Sequence, residues 1–312
     1  MKVLVTGGAG FIGSHVVDQL IEAGAEVVII DDLSSGRQES VNPRARLYHM
    51  DICDAGIGQI FEREHIDCLD HHAAQMNVRR SVADPVFDAR VNVLGSLNLL
   101  QAAVATGVKK VVFASTGGAI YGEQLTIPAD ETHPTTPLSP YGVAKLAVEK
   151  YLAYYEAVYG LPSVTLRYAN VYGPRQDPHG EAGVVAIFAQ QLLRGEPCLI
   201  NGDGEQTRDF VYVADVVRAN VFAVITDLRG TYNVGTGIET SVNRLYAHLA
   251  GQASVSQPAP HGPPKAGEQR RSVLSWQKLH EAMHWSPEVA LDEGLRCTLA
   301  YFAGRAGRPK TS

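Results

Sequence analysis

Long apolar runs, paired cysteines and an excess of positive charge are all missing from this sequence. No apolar run approaches the roughly 20 residues that a membrane-spanning helix needs, and Thr6-Gly7-Gly8 interrupts the short apolar start that could be mistaken for a signal peptide. The 4 cysteines are scattered without a Cys-x-x-Cys pair, which argues against a disulfide framework and a zinc-thiolate site. The net charge of −6 disfavours nucleic acid and anionic membranes as partners. We therefore expect a cytoplasmic protein that binds neither nucleic acid nor membrane.

The chain has the size and composition of a soluble globular protein with more than one compact part. Its 312 residues are 45% apolar and 19% charged, and this length favours a large domain with a smaller lobe. The first half alternates short β-branched runs with longer helical patterns, which predicts a parallel sheet with helices on both faces. The predicted strands are 2–5, 26–30, 46–50, 66–73 and 110–114, and the predicted helices are 11–23, 85–106 and 141–159.

The second half contains shorter elements separated by Gly and Pro, beginning near Tyr172. The pattern predicts helices at 214–225 and 241–250 with a strand at 231–234 between them. It also predicts a surface loop at 258–267 and a disordered tail from residue 304. We therefore expect a first domain over residues 1–171, to which the chain returns at 213–236, and a second lobe over 172–312.

A glycine-rich turn follows the first predicted strand. Gly8-x-Gly10-x-x-Gly13, with Gly7 before it, matches the dinucleotide-binding fingerprint between a strand and a helix. Asp31 ends the next strand at the distance expected for a carboxylate that binds a ribose diol. The pair Asp31-Asp32 favours NAD over NADP, because a carboxylate repels a 2′-phosphate. Asp51-Ile52 then either flanks the adenine or forms a plain strand-end turn.

Tyr141 and Lys145 lie one helical turn apart, which places both side chains on one helix face. A nearby ammonium favours a phenolate over a phenol, so we expect Lys145 to lower the pKa of Tyr141 from about 10. The pair is then a candidate general base that removes a proton from an alcohol near neutral pH.

These motifs occur together and in one order with Asn92, Ser115-Thr116 and Asn170-Val171-Tyr172-Gly173-Pro174. The joint set resembles the extended short-chain dehydrogenase/reductase family and, within it, the NAD-dependent nucleotide-sugar epimerases, with the greatest likeness to bacterial UDP-glucose (UDP-galactose) 4-epimerases. The resemblance implies a Rossmann-type doubly wound sheet that binds NAD and a smaller C-terminal α/β lobe that binds a UDP-sugar. It also implies a homodimer formed by the helices at 85–106 and 141–159.

The resemblance assigns the chemistry to Tyr141, Lys145 and a hydroxyl at the end of a strand. Thr116 is the favoured hydroxyl and Ser115 the alternative, because the sequence has one extra residue before Tyr121-Gly122. Dehydratases of the family carry Asp-Glu after this hydroxyl, whereas this chain has Gly117-Gly118. Without groups for elimination, the resemblance implies that the 4-keto sugar can only take its hydride back, with inversion at C4.

The same resemblance implies further binding residues. The cofactor residues are Gly7, Gly10, Phe11, Ile12, Gly13, Asp31, Asp32, Ser34, Asp51, Ile52, Ala73, Ala74, Asn92, Ser115, Tyr141, Lys145 and Tyr168. The substrate residues are Gln75, Thr116, Asn170, Arg208, Lys265, Glu268 and Ser272. Ser272 replaces a Tyr that is common in strict glucose/galactose enzymes, so we expect room for a 2-N-acetyl group.

Two histidine pairs could be read as metal sites, and we expect neither to bind metal. His280-Glu281-x-x-His284 matches the zinc-protease pattern, but Trp285-Ser286-Pro287 ends the helix and few ligands remain downstream. His71-His72 are successive strand residues that point to opposite faces. For these we expect structural or cofactor-lining roles.

Two alternative functions remain open at this point. The sugar could be a UDP-glucuronate or a dTDP-hexose, since the hydride chemistry is shared. The chain could instead be a non-catalytic NAD-binding redox regulator, although such proteins generally lose the Tyr and Lys that are retained here.

Overall fold

Short runs of β-branched residues form the buried centre of a seven-stranded sheet. In the computed structural model, which describes residues 1–179, 183–264 and 269–306, Val3, Leu4 and Val5 of the first strand are fully buried. The sheet has the strand order β3-β2-β1-β4-β5-β6-β11, and every pairing from β3 to β6 is parallel. The order reverses between β1 and β4, where ligands bind in Rossmann folds. The predicted fold class is confirmed.

The strands are β1 Lys2–Thr6, β2 Glu26–Asp31, β3 Arg46–His49, β4 Cys68–His71, β5 Lys110–Thr116, β6 Ser163–Tyr168, β7 Asn170–Tyr172, β8 Ile200–Asn201, β9 Thr207–Arg208, β10 Phe210–Tyr212, β11 Gly230–Val234, β12 Thr240–Ser241, β13 His261–Gly262 and β14 Arg271–Ser272. The helices are α1 Phe11–Glu22, α2 Ile57–Glu64, α3 Val78–Ala83, α4 Pro85–Ala89, α5 Ser96–Thr106, α6 Gly117–Ile120, α7 Pro140–Tyr159, α8 Val184–Arg194, α9 Val213–Ile225, α10 Val242–Gln252, α11 Gln277–Met283 and α12 Leu291–Ala306. No helix in the described ranges is long and apolar enough to cross a membrane.

Contacts divide the chain into two compact units. The first comprises Met1–Gly122, Pro134–Tyr168 and Val217–Asn233, and the second comprises Glu123–His133, Ala169–Val216 and Val234–Ser312. The sequence had suggested a break at 171/172 and a return at 213–236. It had not assigned 123–133 to the second unit, because nothing in the composition of that short segment distinguishes it from its neighbours.

The predicted helix 85–106 is interrupted in the structure. Arg90–Gly95 has π-helical hydrogen bonding between α4 and α5, so the helical residues are continuous but their register changes in the middle. Such segments often occur at functional sites. Sequence periodicity could not show this, because an extra residue in one turn leaves the apolar pattern on either side intact.

Strand β4 is shorter than predicted and contains buried polar residues. Asp70 and His71 are at most 2% exposed. Oδ1 of Asp70 lies 3.1 Å from Nε2 of His72 and accepts a hydrogen bond from Nδ2 of Asn220 at 3.2 Å. These partners of Oδ1 offset part of the loss of hydration, while Oδ2 has no hydrogen-bond partner among the described residues.

Many of the shorter elements were not predicted from the sequence, among them helices α2 and α8. Strand β6 was not predicted, residues 304–306 belong to helix α12 instead of a disordered tail, and the loop predicted at 258–267 contains the short strand β13. In the second unit, small sheets pair β7 with β10, β8 with β13, and β9 with both β12 and β14.

A buried ion pair joins helix α7 to strand β6 in the first unit. Nη2 of Arg167 donates to Oε2 of Glu149 at 2.6 Å and Nε donates to Oε1 at 3.1 Å. Oε1 also accepts the hydroxyl of Ser115 at 2.6 Å. Nη1 of Arg167 donates to the hydroxyl of Tyr121 at 2.8 Å. Helix α7 is therefore held against β5 and β6 by bidentate, charge-assisted bonds.

Replacing Arg167 with Met should destabilise the protein by about 3–5 kcal/mol, because it leaves the buried carboxylate of Glu149 without its cation. Arg229→Met is the matched control, since Arg229 pairs with Glu156 of the same helix at 3.7 Å but has 62% of its side chain exposed. The control should cost less than about 1 kcal/mol. Denaturant unfolding of both variants gives the two free energies, and equal costs would contradict the assigned role of the buried pair.

Candidate active site

The glycine loop between β1 and α1 is packed too tightly for any side chain at two positions. Gly7 has φ +70°, and a Cβ there would lie 2.7 Å from the backbone nitrogen of Ala73. A Cβ on Gly13 would lie 2.2 Å from the carbonyl oxygen of Gly7. The amide of Gly10 donates to that same oxygen at 3.0 Å. Phe11 and Ile12 begin helix α1, so the loop brings backbone close to a helix N-terminus, the geometry that binds a pyrophosphate.

Asp31 ends β2 beside this loop and is 6% exposed. Its Oδ2 accepts the amide of Ala9 at 2.9 Å, and its Oδ1 accepts the amide of Leu33 at 2.8 Å. Burial raises the pKa of Asp31, and the two amide bonds oppose the rise. A carboxylate fixed in this way can accept hydrogen bonds from ribose hydroxyls and repels a 2′-phosphate, so the residues fit NAD.

The other predicted residues on the adenosine side bond mostly within their own turns. Oδ1 of Asp32 accepts both the amide and the hydroxyl of Ser34, at 2.9 and 2.6 Å. Oδ1 of Asp51 accepts the amide of Cys53 at 2.8 Å, and Ile52 is buried. Asp51 thus forms the strand-end turn that is the alternative to an adenine contact. The cofactor contacts of these residues stay predictions.

A buried polar chain lies at the point where the strand order reverses. The hydroxyl of Thr6 lies 2.7 Å from Nδ1 of His71, and Nε2 of His71 lies 2.9 Å from the hydroxyl of Ser96. The amide of Ala73 donates to Oγ1 of Thr6 at 3.1 Å. Burial lowers the pKa of His71 well below its ordinary value, so His71 is neutral near pH 7. Ala73 and Ala74 are half-buried just after it.

Asn92 and Gln75 bond each other. Oδ1 of Asn92 accepts the amide of Gln75, and Nδ2 donates to the carbonyl oxygen of Gln75, both at 2.8 Å. The side-chain amide of Gln75 donates to Asp88 at 2.9 Å and accepts the amide of Asn77 at 2.6 Å. The side chain of Gln75 is thus bonded within the protein, and a substrate contact of Gln75 stays a prediction.

Tyr141 lies in the first turn of α7. Ser139 caps this helix by accepting the amide of Gly142 at 3.2 Å, and Pro140 occupies its first turn. A Cβ on Gly142 would lie 2.7 Å from the carbonyl oxygen of Ala119. The glycine thus lets α7 approach α6, the helix that begins immediately after Thr116.

Lys145 is 4% exposed one turn further along α7. Its Nζ donates to the carbonyl oxygen of Ala114 at 2.8 Å and lies 4.7 Å from the ring centre of Phe113. Burial lowers the pKa of Lys145 to about 8, and the negative charges of Asp88 and Glu149 oppose this shift.

The expected depression of the Tyr141 pKa is wrong for the polypeptide by itself. Burial, with a smaller contribution from the negative charge of Asp88, raises the pKa of Tyr141 well above its ordinary value. The ammonium of Lys145 is directed at the carbonyl oxygen of Ala114 and does not offset this rise. The sequence predicted the one-turn spacing of Tyr141 and Lys145 correctly, but it did not predict the electrostatic environment of the Tyr141 phenol.

Ser115 and Thr116 differ clearly in their surroundings. The hydroxyl of Ser115 is buried and donates to Glu149 at 2.6 Å, so it belongs to the ion-pair network. Thr116 is half-buried at the end of β5, and its side chain makes no capping bond to α6. Successive strand residues point to opposite faces, which favours Thr116 as the hydroxyl available to a ligand.

Tyr168 is packed in the first unit. It is 5% exposed, its hydroxyl accepts Nδ2 of Asn220 at 3.2 Å, and its ring stacks on His72 with ring centres 6.5 Å apart. Burial raises its pKa. These are the contacts of a core residue, and a cofactor contact of Tyr168 stays a prediction.

The second unit holds most of the predicted substrate residues. Arg208 in β9 is the register partner of Ser272 in β14 and of Thr240 in β12, so these three lie in one row. Nη1 of Arg208 donates to the carbonyl oxygen of Thr207 at 2.7 Å. Oδ1 of Asn170 is buried without a hydrogen-bond partner in the described part of the chain. Such an amide is available to a ligand.

Sequence reasoning missed Asp209, which fixes the segment that carries Arg208. Asp209 is fully buried and accepts bonds from the amide and hydroxyl of Thr236, and from the amides of Gly237 and Leu274. Its position directly after Arg208 was the only signal in the sequence. Lys265 and Glu268, also predicted to bind substrate, lie outside the described residues.

The histidine pairs are used structurally. Helix α11 ends at Met283, and His284 adopts a left-handed conformation. His280 lies 3.1 Å from the carbonyl oxygen of Trp285 through Nδ1. Among residues 1–179, 183–264 and 269–306, no group of three or more His, Cys, Asp or Glu side chains is arranged to hold a metal ion.

Comparison with known proteins agrees with this geometry. The sequence model of the NAD dependent epimerase/dehydratase family matches residues 3–235. UDP-glucose 4-epimerase of Mycolicibacterium smegmatis is 45% identical over 312 residues, which cover 98% of this chain and 100% of that protein.

Two solved structures are similar over almost the whole chain. The UDP-glucose 4-epimerase of Thermotoga maritima with UDP-glucose is 49% identical with a TM-score of 0.96, covering 98% of this chain and 100% of that one. The UDP-glucose 4-epimerase of Thermus thermophilus in complex with NAD is 48% identical with a TM-score of 0.94, covering 97% and 99%. With its glycine loop and its Tyr141–Lys145 pair, the chain belongs to the NAD dependent epimerase/dehydratase family.

Proposed function

We propose that this protein is an NAD-dependent epimerase that interconverts UDP-glucose and UDP-galactose by inverting C4 of the hexose. The observation that carries this proposal is the pair Gly117-Gly118 at the start of α6, immediately after Thr116. Eliminating water from the sugar needs an additional acid and base, and these two residues have no side chain to supply them. The similarity to the T. maritima and T. thermophilus epimerases supports the same reaction.

The cofactor residues are proposed from their fit to a dinucleotide. Backbone of the loop from Gly7 to Gly13 binds the pyrophosphate, and Asp31 binds the adenosine ribose. Bound NAD supplies an oxidised nicotinamide that accepts a hydride from the sugar carbon and can return it. Lys145, with a pKa of about 8, is mostly protonated at pH 7 and can donate to a ribose hydroxyl.

Tyr141 is the proposed general base and acid. Its phenolate takes the proton of the sugar 4-hydroxyl during oxidation, and the resulting phenol returns the proton during reduction. Thr116 orients the same hydroxyl, because Ser115 is bonded to Glu149. Since the proton and the hydride both return to the sugar, the reaction is balanced without any other reactant.

In the second unit, Asn170 and Arg208 are proposed to bind the diphosphate, since Arg suits bidentate oxyanions. Lys265 and Glu268 are proposed to bind phosphate and ribose. A UDP-glucuronate or dTDP-hexose substrate remains the alternative, because it would use the same Tyr141. A location in the cytoplasm stays a prediction.

We also propose a homodimer. Helix α7 exposes an apolar stripe at Val143, Tyr151, Tyr154 and Val158, each at least 39% exposed, with the helical spacing of one face. Val86 and Leu94, in α4 and the π-helical segment, are 78% and 59% exposed. Contiguous apolar exposure of this kind is typical of a protein–protein interface.

The first test supplies UDP-galactose, UDP-glucuronate or UDP-N-acetylgalactosamine to the purified protein without added cofactor, and NMR reads the C4 configuration. Tyr141→Phe should lower turnover by about 10²–10⁴-fold, because it removes the proton-transfer group, while the NAD content is unchanged. Tyr159→Phe, at a 49% exposed residue of the same helix, is the control. Full activity in Tyr141→Phe would disprove the proposed base, and inactivity of the unmodified protein on every sugar would favour a regulator.

A second test concerns the N-acetylated sugars. Ser272 lies beside Arg208 in the sheet, and a small residue there is proposed to leave room for a 2-N-acetyl group. UDP-N-acetylglucosamine should therefore be turned over, and Ser272→Tyr should remove this activity while UDP-galactose is still converted. No turnover of the N-acetyl sugar at high enzyme concentration would contradict the proposal.

A third test concerns the dimer. Val158→Glu places a charge within the apolar stripe of α7 and should shift sedimentation equilibrium toward the monomer. Ile225→Glu, at a 51% exposed position of α9, is the matched control and should leave the assembly unchanged. A monomeric unmodified protein at micromolar concentration would refute the dimer.

A further inference from the structure

Asp88 is a buried carboxylate for which the proposed chemistry has no use. It is 1% exposed in helix α4. Its Oδ1 accepts Nε2 of Gln75 at 2.9 Å and Nδ2 of Asn92 at 3.0 Å. Its Oδ2 is buried without a hydrogen-bond partner in the described ranges. A carboxylate held only by amides is costly to bury, so its retention calls for an explanation.

Helix α4, which carries Asp88, packs against helix α7, which carries Tyr141 and Lys145. The negative charge of Asp88 acts on Tyr141 and Lys145, and the ammonium of Lys145 acts in turn on Asp88. Burial is the larger influence on all three groups: it raises the pKa values of Tyr141 and Asp88 and lowers the pKa of Lys145. These three residues form an electrostatic cluster within the first unit.

The other carboxylate that acts on Lys145 within the described residues has both of its oxygens bonded. Glu149 also acts on Lys145, but both of its oxygens bond Arg167, and one also accepts the hydroxyl of Ser115. His71 lies near Lys145 but is held neutral between Thr6 and Ser96. The cations on neighbouring elements α3 and the π-helical segment are exposed, namely Arg79, Arg80 and Arg90.

We propose that Asp88 is a positioning residue whose buried negative charge sets the protonation states of Tyr141 and Lys145 together. The inference rests on the proposed epimerase function. The π-helical segment supports it, because Asn92 in that segment donates to Oδ1 and fixes the carboxylate, while Oδ2 has no donor among the described residues. Asp88 keeps the ammonium of Lys145 charged and opposes early loss of the phenolic proton of Tyr141.

The direction of the effect follows from the sign of the charge. Removing an anion makes a phenolate easier to form, so the pKa of Tyr141 should fall. It also makes an ammonium less favourable, so the pKa of Lys145 should fall as well. If turnover needs the Tyr141 phenolate and the Lys145 ammonium, both limbs of its pH profile should move toward acid. A purely structural defect would lower the rate without moving both limbs in one direction.

The experiment compares the pH profile of UDP-galactose turnover in the holoenzyme with that of Asp88→Asn. Both limbs should move about 1 unit toward acid, the order of shift that a nearby charge produces. The control is Asp84→Asn, which removes an equal charge at an exposed position and can still cap α4 by accepting the amide of Phe87. The control should leave both limbs in place.

A second measurement does not depend on turnover. In ¹³Cζ-tyrosine-labelled holoenzyme, the Tyr141 signal, identified by its loss in Tyr141→Phe, should titrate at lower pH in Asp88→Asn. Asp88→Ser replaces Asp88→Asn if the amide variant fails to fold. An active unmodified enzyme with unshifted limbs and an unshifted signal in the variant refutes the inference. An inactive unmodified enzyme refutes the proposed function instead, and a shifted signal would still support the role of Asp88.

Discussion

The buried ion pair between Arg167 and Glu149 is the interaction on which the rest of the first unit depends. It connects strand β6 to helix α7, and through Ser115 it includes strand β5. The helix that carries Tyr141 and Lys145 is thereby fixed to the strand that ends in Thr116. Catalytic side chains must be held to within fractions of an ångström, and the directional bonds of Arg167 and Ser115 to Glu149 fix the helix relative to the two strands.

The same constraint gives the site its electrostatic character. Glu149 is satisfied by Arg167, so Lys145 must find other compensation inside the protein, and it bonds the carbonyl oxygen of Ala114. The phenol of Tyr141 is influenced by the negative charge of Asp88, which adds to the rise that burial causes in its pKa. The polypeptide alone therefore disfavours ionisation of the phenol. A protein that carries a positively charged, oxidised cofactor can use this arrangement, because the phenol then resists ionisation whenever the cofactor is absent.

Sequence reasoning succeeded where the chemistry is local and failed where it depends on distant partners. The loop from Gly7 to Gly13 is one continuous strand, turn and helix, and Tyr141 and Lys145 share one helical turn, so spacing alone indicated them. The bond from Gln75 to Asp88 could not be read from the sequence, because the two residues are 13 positions apart on different segments. The pairing of Arg167 with Glu149 and the four bonds to Asp209 also join separate elements, and no periodicity encodes them. The partner of Asp70 in the polar strand β4 could not be predicted for the same reason, since Asn220 bonds Asp70 from 150 residues away.

That last contact has a consequence for synthesis of the chain. The first unit is completed only by Val217–Asn233, which supply Asn220 and most of β11. A nascent chain that has left the ribosome as far as residue 171 therefore contains the whole glycine loop but exposes an edge of β6, and Asp70 and Tyr168 still lack their bonds from Asn220. Closing such long-range contacts is slow, so the dinucleotide-binding unit cannot mature in the vectorial order of its sequence. It must wait until a large part of the second unit has emerged.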